Sequence, residues 1–525
     1  MCTGFVLALV GGQVGCDGDP PAAEDPIALL YASVGGADAL ASFETVTYEA
    51  SGSQFVHSEA HRPGELLQTN TFEAEVAYEW SSGRSRSSEV RDTQFPFPLP
   101  RQFTRLLQGG SGWTDGLEGV PVLAPPGDID PDKAAGHARV LELLVPQILL
   151  RKVATGQLSA EYEGLDDFES SPHHRFRLGE GAEAVEVFVD QDSGRLDGMR
   201  LAVHDTLLCD QDLEVHFESW SDIGAFPFPG HAELRGFGGV IHTEDRTMVE
   251  INEALDPDLF AVPPEALLPE DAALANRGRL QFPYYHFTSA MGVPFSLNQD
   301  QIEAIPLAEG VTMLVATHNS LVIEQANRIV VIEAPLDGRR SEAILGWVES
   351  EYPSKPVSHV ISTHHHLDHA GGLRRFVAEG VAVIVAESGT AFLENEVVGA
   401  TCSILPDTLA LSPTPAELIG VSAGSSLSLD DPQVPVIAYQ IDTEHAADML
   451  IVHLPQQGIT FNSDLYSPLP PELKGLVTPY FRDIELLDFS AGLAQHAIVP
   501  QVIVGGHGAV ATGEAFAADV AALER

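Results

Sequence analysis

The chain has 525 residues, with 27 Lys and Arg against 76 Asp and Glu, for a formal net charge of −49. Only Lys133, Lys152, Lys355 and Lys474 are lysines, and no basic stripe occurs, which excludes a nucleic-acid binder that works by counterion release. The length exceeds what one hydrophobic core serves and predicts two or three domains. No apolar run approaches the ~18 residues of a membrane-spanning helix.

At the start, the apolar run from Phe5 to Val10 is followed by Gly11-Gly12-Gln13-Val14-Gly15-Cys16 and then Asp17-Gly18-Asp19-Pro20-Pro21. This pattern resembles a bacterial lipoprotein signal over residues 1–16. The resemblance implies acylation of Cys16, a flexible tether over 17–27, membrane contact only through the lipid, and a location in the periplasm or cell envelope. No Lys or Arg precedes Arg62, so the usual basic n-region is missing, and simple secretion or a cytosolic location are the alternatives. Cys2, Cys16, Cys209 and Cys402 form no CxxC. With residues 1–15 removed only Cys209 and Cys402 are left as structural partners, in different expected domains, and no disulfide framework is evident.

Residues 28–263 are expected to form a β-rich domain. A short helix starts near Ala28, and Val46 to Gly52 alternates as a half-buried strand does. Ala134 to Val153 shows helical periodicity through Val140, Leu141, Leu143, Leu144 and Ile148. Ala184 to Val189, a turn at Asp190 to Gly194, and Leu201 to Val203 read as a hairpin. The strings at Phe95 and Phe226, each Phe-Pro-Phe-Pro, are read as coincidental loops. In its pattern of elements this layout resembles the open half-barrels of lipoprotein-carrier proteins. It contains no titratable constellation and is read as a structural or docking module. The Pro- and Ala-rich region 264–300 reads as a linker, and 301–525 as a second domain.

That second domain holds the chemistry. Apolar Val357 to Ile361 leads into Ser362-Thr363-His364-His365-His366-Leu367-Asp368-His369-Ala370-Gly371-Gly372, which reads as strand, loop and helix start. His364 and His366, two apart, project to one side of an extended backbone, and His365 to the other. Asp368 and His369 follow in the turn, within reach of a second metal. Imidazoles with a carboxylate suit zinc best, with iron or manganese as alternatives.

The string Thr363 to Gly372 resembles the H-x-H-x-D-H signature of metallo-β-lactamase-fold hydrolases. Such a family also requires, downstream, a third histidine, a bridging carboxylate and a last histidine. His445 lies before the apolar run Met449 to Leu454, Asp464 ends the return strand Ile459 to Asp464, and His507 ends the strand that begins at Val502. The resemblance covers roughly residues 302–525 and implies an α+β protein with a C-terminal αββα sandwich behind the β-rich domain. It implies that His364, His366 and His445 hold one ion and Asp368, His369 and His507 a second, with Asp464 bridging. Two zinc ions would then provide a metal-bound hydroxide, and Asp368 would be the catalytic residue that orients it and shuttles a proton.

Asp448, which rivals Asp464 as the carboxylate, precedes its strand and reads as a supporting or turn residue. His318 reads as a satisfied strand-end histidine rather than a pocket residue. His366 stands where flavin-associated di-iron members carry glutamate, and Asp464 where several β-lactamases carry cysteine. The expected substrate is therefore a small carbonyl compound: an ester, lactone, thioester or amide. The alternative is an extracytoplasmic carrier lipoprotein whose N-terminal cavity holds an apolar ligand, the metal domain being secondary.

Overall fold

The computed structural model describes residues 25–95, 98, 100–119, 127–262, 267–291, 301–468 and 482–523. Cys16 and the 17–24 part of the expected tether lie outside the described residues.

Alternation of small or apolar with polar residues builds a 13-stranded antiparallel sheet from residues 45 to 251. Strand Thr45–Val56 buries Val46, Tyr48 and Ala50 on one face, as a period of two requires. It pairs with Leu67–Glu79 on one side and with Gly239–Ile251 on the other, Val46 lying opposite Ile251. The strands up to Gly127–Ile129 extend the sheet one way, and those from Ala160–Phe168 onward return to close on the first.

The joining segment folds as two helices, Pro131–Leu144 and Pro146–Ala154, rather than the single helix the periodicity suggests. Pro146 has no N–H to continue the ladder, so the helix breaks at Val145. Leu143, Leu144, Leu149 and Leu150 pack on Phe176, Val187, Met199 and Val215, while Val145 and Ile148 pack on Phe43, Tyr48 and Phe72. The stretch read as a linker contains the helices Ala272–Leu280 and Phe282–Met291. The second of these fixes itself to the first pair through Tyr285, whose hydroxyl donates to Asp132 at 2.6 Å.

The remaining strands form two facing sheets, of seven strands over 303–421 and six over 426–512. Val330, Ile332, Ile361 and Ile384 of the first meet Val436, Val452, Phe461 and Val504 of the second. The intervening side chains of the first sheet, Val331, Val360 and Val383, face outward onto Ile344, Val348 and Phe376 of the helices Gly338–Glu351 and Leu373–Ala378. On the far side, Ile451 and Ile503 are covered by Leu486, Phe489 and Phe516 of the helices Asp483–Gln495 and Gly513–Leu523. The layers are therefore α, β, β, α, and the whole chain is α+β. No helix among the described residues is long and apolar enough to cross a membrane.

The two halves are joined covalently. Cys209 and Cys402 form a disulfide across a separation of 193 residues, with Cα atoms 4.9 Å apart. The neighbouring Asp210 carboxylate accepts from the Ser403 and Ile404 amides at 2.6 and 3.1 Å. Leu207 packs in the same cluster as Leu314 and Val322. A long cross-link stabilises chiefly by restricting the unfolded chain, so Cys402→Ser is expected to cost the oxidised protein about 2–4 kcal/mol. Denaturant midpoints measured with and without reductant check this. Equal midpoints for the two proteins under oxidising conditions would show that the thiols are unpaired in solution.

Candidate metal centre

Parallel pairing places strand Val357–Ile361 between Ile329–Ile332 and Ala382–Ala386, so the chain leaves it at the rim of the sandwich. There the run His364 to His369 turns through the short helix Leu367–Ala370. From the facing sheet, strands Ile459–Phe461 and Val502–Val504 run parallel to each other and deliver Asp464 and His507 to the same rim. His445 arrives just before strand Leu450–Leu454. All seven residues singled out in the sequence are thus brought together.

They form two overlapping groups. His364, His366, His445 and Asp464 each offer one ligand atom within 4.8 Å of the others, as do Asp368, His369, Asp464 and His507. His445 Nε2 lies 3.3 Å from His364 Nε2 and 3.4 Å from Asp464 Oδ2. His507 Nε2 lies 3.3 Å from Asp368 Oδ2 and 3.4 Å from Asp464 Oδ1. Two ligands on one tetrahedral zinc ion, each bonded at about 2.0–2.1 Å, sit about 3.4 Å apart, so these spacings fit shared ions. His366 Nδ1 and Asp368 Oδ1 are buried and make no hydrogen bond, an expensive condition for polar atoms without a further partner. The donor set and its orphaned atoms therefore suit divalent metal.

Two of the histidines are held ready to ligate, and others carry charge that a metal would replace. Burial, then the neighbouring histidines, hold His364 and His366 well below the usual imidazole pKa, leaving neutral rings able to ligate. Burial opposes ionisation of Asp368 and Asp464, but the charge on His369, joined by other imidazoles, outweighs it and keeps both well below the usual carboxylate range. Burial likewise disfavours charge on His445, yet hydrogen bonds to Asp464 and Glu485 push it up to about 9.

Supporting groups aim these rings. His445 Nδ1 lies 2.8 Å from Glu485 Oε1, which also accepts from Arg482 Nε. His366 Nε2 donates to the Ala60 carbonyl at 3.1 Å, which leaves Nδ1 as its nitrogen for a metal. His365 turns to Asp448 at 2.7 Å, so neither residue joins the candidate ligands. Gly506 allows the last loop to close, since a Cβ there would lie 2.7 Å from His369 Cε1.

The structure corrects one reading. His318 is inside the site, with Nε2 3.1 Å from Asp368 Oδ2 and its ring 4.3 Å from that of His507. Burial, then His507, lowers its pKa to about 3, so it meets Asp368 as a neutral imidazole. Besides Glu485, two further carboxylates of the site were not marked by the sequence. Glu333 is wholly buried beyond strand Ile329–Ile332, accepts from Thr363 and Ser463, and faces His369 Nδ1 at 3.2 Å. Glu333 and Ser463 both have left-handed backbone, with φ of 72° and 57°, at a cost of about 1–2 kcal/mol each. A carboxylate immediately after an apolar strand was the available signal for Glu333. Glu59, from the other domain, lies 3.5 Å from His366 Nδ1 through Oε2. Burial, then the charge of Asp368, raises its pKa well above the usual carboxylate range.

Residues 314–459 match the family model described as the metallo-beta-lactamase superfamily. Solved structures similar to the chain include a metallo-beta-lactamase from Pontibacter korlensis, at 19% identity and a TM-score of 0.34, covering 43% of this chain and 100% of that one. Another is the metallo-beta-lactamase FIM-1 from Pseudomonas aeruginosa in its mono-zinc form, at 21% identity and a TM-score of 0.31, covering 42% and 95%. The C-terminal domain belongs to the metallo-β-lactamase superfamily and is a metal-dependent hydrolase domain.

Removing Glu333 takes away the buried acceptor that Thr363 and Ser463 share and the carboxylate that faces His369 Nδ1. Glu333→Ala is therefore expected to lose about 2–4 kcal/mol of stability, and Glu333→Gln, which keeps an acceptor, clearly less. Denaturant titration of both variants measures the difference, and equal losses would show that the carboxylate carries no such role.

Proposed function

We propose that the C-terminal domain is a dinuclear zinc hydrolase acting on a small carbonyl substrate, an ester, lactone, thioester or amide. The observation that carries this reading is the convergence of two ligand groups on one carboxylate, Asp464. His364, His366 and His445 would hold one ion, and Asp368, His369 and His507 the other. Bound there, the ions would supply Lewis acidity, lowering the pKa of a coordinated water toward 7 and polarising the carbonyl.

The chain's own groups do the rest. Glu485 and the Ala60 carbonyl fix the rings of His445 and His366, so the ligand atoms are placed before substrate arrives. Asp368 is held from one side by His318 through Oδ2, while Oδ1 makes no hydrogen bond. Oδ1 is thus positioned to take the proton of the attacking water and return it to the leaving group. His318, neutral, steadies Asp368 without adding a positive charge that would compete with metal.

The carrier alternative draws little support from the N-terminal cavity. Its walls mix the charged Glu89, Arg91, Arg105 and Glu244 with the apolar Phe72, Val76, Leu107, Leu141 and Leu144, so a wholly apolar ligand would meet buried charge. The net charge of −49 also disfavours polyanionic partners. The reading that the protein works outside the cytoplasm gains support from the Cys209–Cys402 disulfide, because such bonds persist mainly in oxidising compartments, while the anchor at Cys16 rests on the N-terminal sequence pattern alone.

Purified protein is expected to carry two equivalents of zinc, and His366→Ala to lose activity by orders of magnitude while the N-terminal domain stays folded. Hydrolysis of a lactone, thioester or β-lactam panel is expected to rise with pH through about 7. Protein that neither holds metal nor gains activity with added zinc would end this reading. Mass spectrometry of the N-terminal peptide from the native host is expected to find lipid on Cys16. An unmodified peptide containing both Cys2 and Cys16 would reject the anchor alone.

A further inference from the structure

The geometry points to Glu59, a residue of the N-terminal domain, as an additional ligand to the ion held by His364, His366 and His445, so that the metal centre spans both domains. This inference rests on the dinuclear reading above.

Glu59 sits in the 57–66 loop between strands Thr45–Val56 and Leu67–Glu79. The loop is pinned at both ends. On its own domain, His57 Nε2 lies 3.1 Å from Asp205, and its ring stacks on Phe237 with centroids 3.8 Å apart. On the other, the Ala60 carbonyl accepts from His366 Nε2 at 3.1 Å, and the His61 carbonyl accepts from the Ala447 amide at 2.8 Å. Two backbone carbonyls therefore hold the loop against the centre, with the Glu59 side chain buried beneath it.

Three observations aim that side chain at metal. It is 4% exposed, yet its nearest polar contacts are Ser58 Oγ at 3.3 Å and His366 Nδ1 at 3.5 Å, with no arginine or lysine pairing it among the described residues. A carboxylate buried in that way is unfavourable without a cation. His366 Nε2 is occupied by the Ala60 carbonyl, so the nitrogen left for an ion is Nδ1, the one that faces Glu59. The 3.5 Å between Nδ1 and Oε2 is close to the spacing of two ligands on one ion, and Glu59 clusters with His366 on one side and with Asp368 of the second ligand group on the other, which places it at the centre. Metal binding would then fasten the domains together, and a substrate would enter past His507, the most exposed of the site residues at 23% of its side chain.

The test uses the full chain and compares Glu59→Gln and Glu59→Asp with Glu65→Gln, a control on the exposed part of the same loop. Zinc content is measured after dialysis against a chelator, zinc affinity by chelator competition, and the visible spectrum after replacement with cobalt. Glu59→Gln is expected to weaken one of the two ions about 10–100-fold and to change the cobalt spectrum. Glu59→Asp should fall between it and wild type, and Glu65→Gln should match wild type. If Glu59→Gln does not fold, Glu59→Asp alone decides, by a weakened ion or an unchanged one. Wild-type protein with two ions and Glu59 variants of unchanged affinity and spectrum would overturn this inference and leave the hydrolase reading standing, whereas wild type without metal would overturn both.

Discussion

Burial of carboxylates among imidazoles is the constraint from which the rest of the C-terminal domain follows. Asp368 contacts His318, His369 and His507, Asp464 contacts His369, His445 and His507, and Glu333 contacts His369 with two hydroxyls. Desolvating ionised carboxylates costs several kcal/mol apiece, and rings kept neutral by burial, such as His364 and His366, return none of it as charge. Positive charge on His369 and His445 offsets part of that cost, and the ligand spacing suits divalent ions that would offset more. The local strain at Glu333 and Ser463 belongs to the same arrangement, since it turns both side chains beneath the site instead of along their strands.

The two sheets make that concentration of polar groups possible. Interdigitated valines and isoleucines bury the faces between them, and parallel pairing brings the ends of Ile329–Ile332, Val357–Ile361, Ile459–Phe461 and Val502–Val504 to one rim. Groups carried just beyond those ends meet whatever their distance in sequence. Each supporting contact, such as Glu485 to His445 or Glu333 to His369, arises because an element with its own packing role also presents one polar side chain to the rim.

The N-terminal domain is part of this geometry. Its 13-stranded sheet encloses helices on an apolar face, and the loop leaving its first strand reaches His366 and Ala447. The disulfide at Cys209 and the Asp210 contacts with Ser403 hold a second point of the interface. Two separated attachments resist rotation better than one, so the carbonyl that orients His366 stays in place. The mixed lining of its cavity, with Glu89, Arg91 and Arg105 beside Phe72 and Leu107, sets this sheet apart from a simple apolar container.

Much of this was legible from the chain itself. The dense run His364 to His369, with apolar flanks and glycines after it, specified a strand-to-helix metal loop by local spacing alone. The elements carrying His445, Asp464 and His507 were readable because each adjoins an apolar strand, and the alternation near Val46 and Val185 marked sheet. What tertiary structure alone decided were relationships between distant segments. Helices at 272–291 replaced an expected linker because Tyr285 found Asp132, and two cysteines 193 residues apart met because their domains pack. His318, Glu333, Glu485 and Glu59 joined the site for the same reason. Periodicity and motif spacing report what a residue's near neighbours require, whereas the partner of a buried charge is chosen by the packing of whole layers.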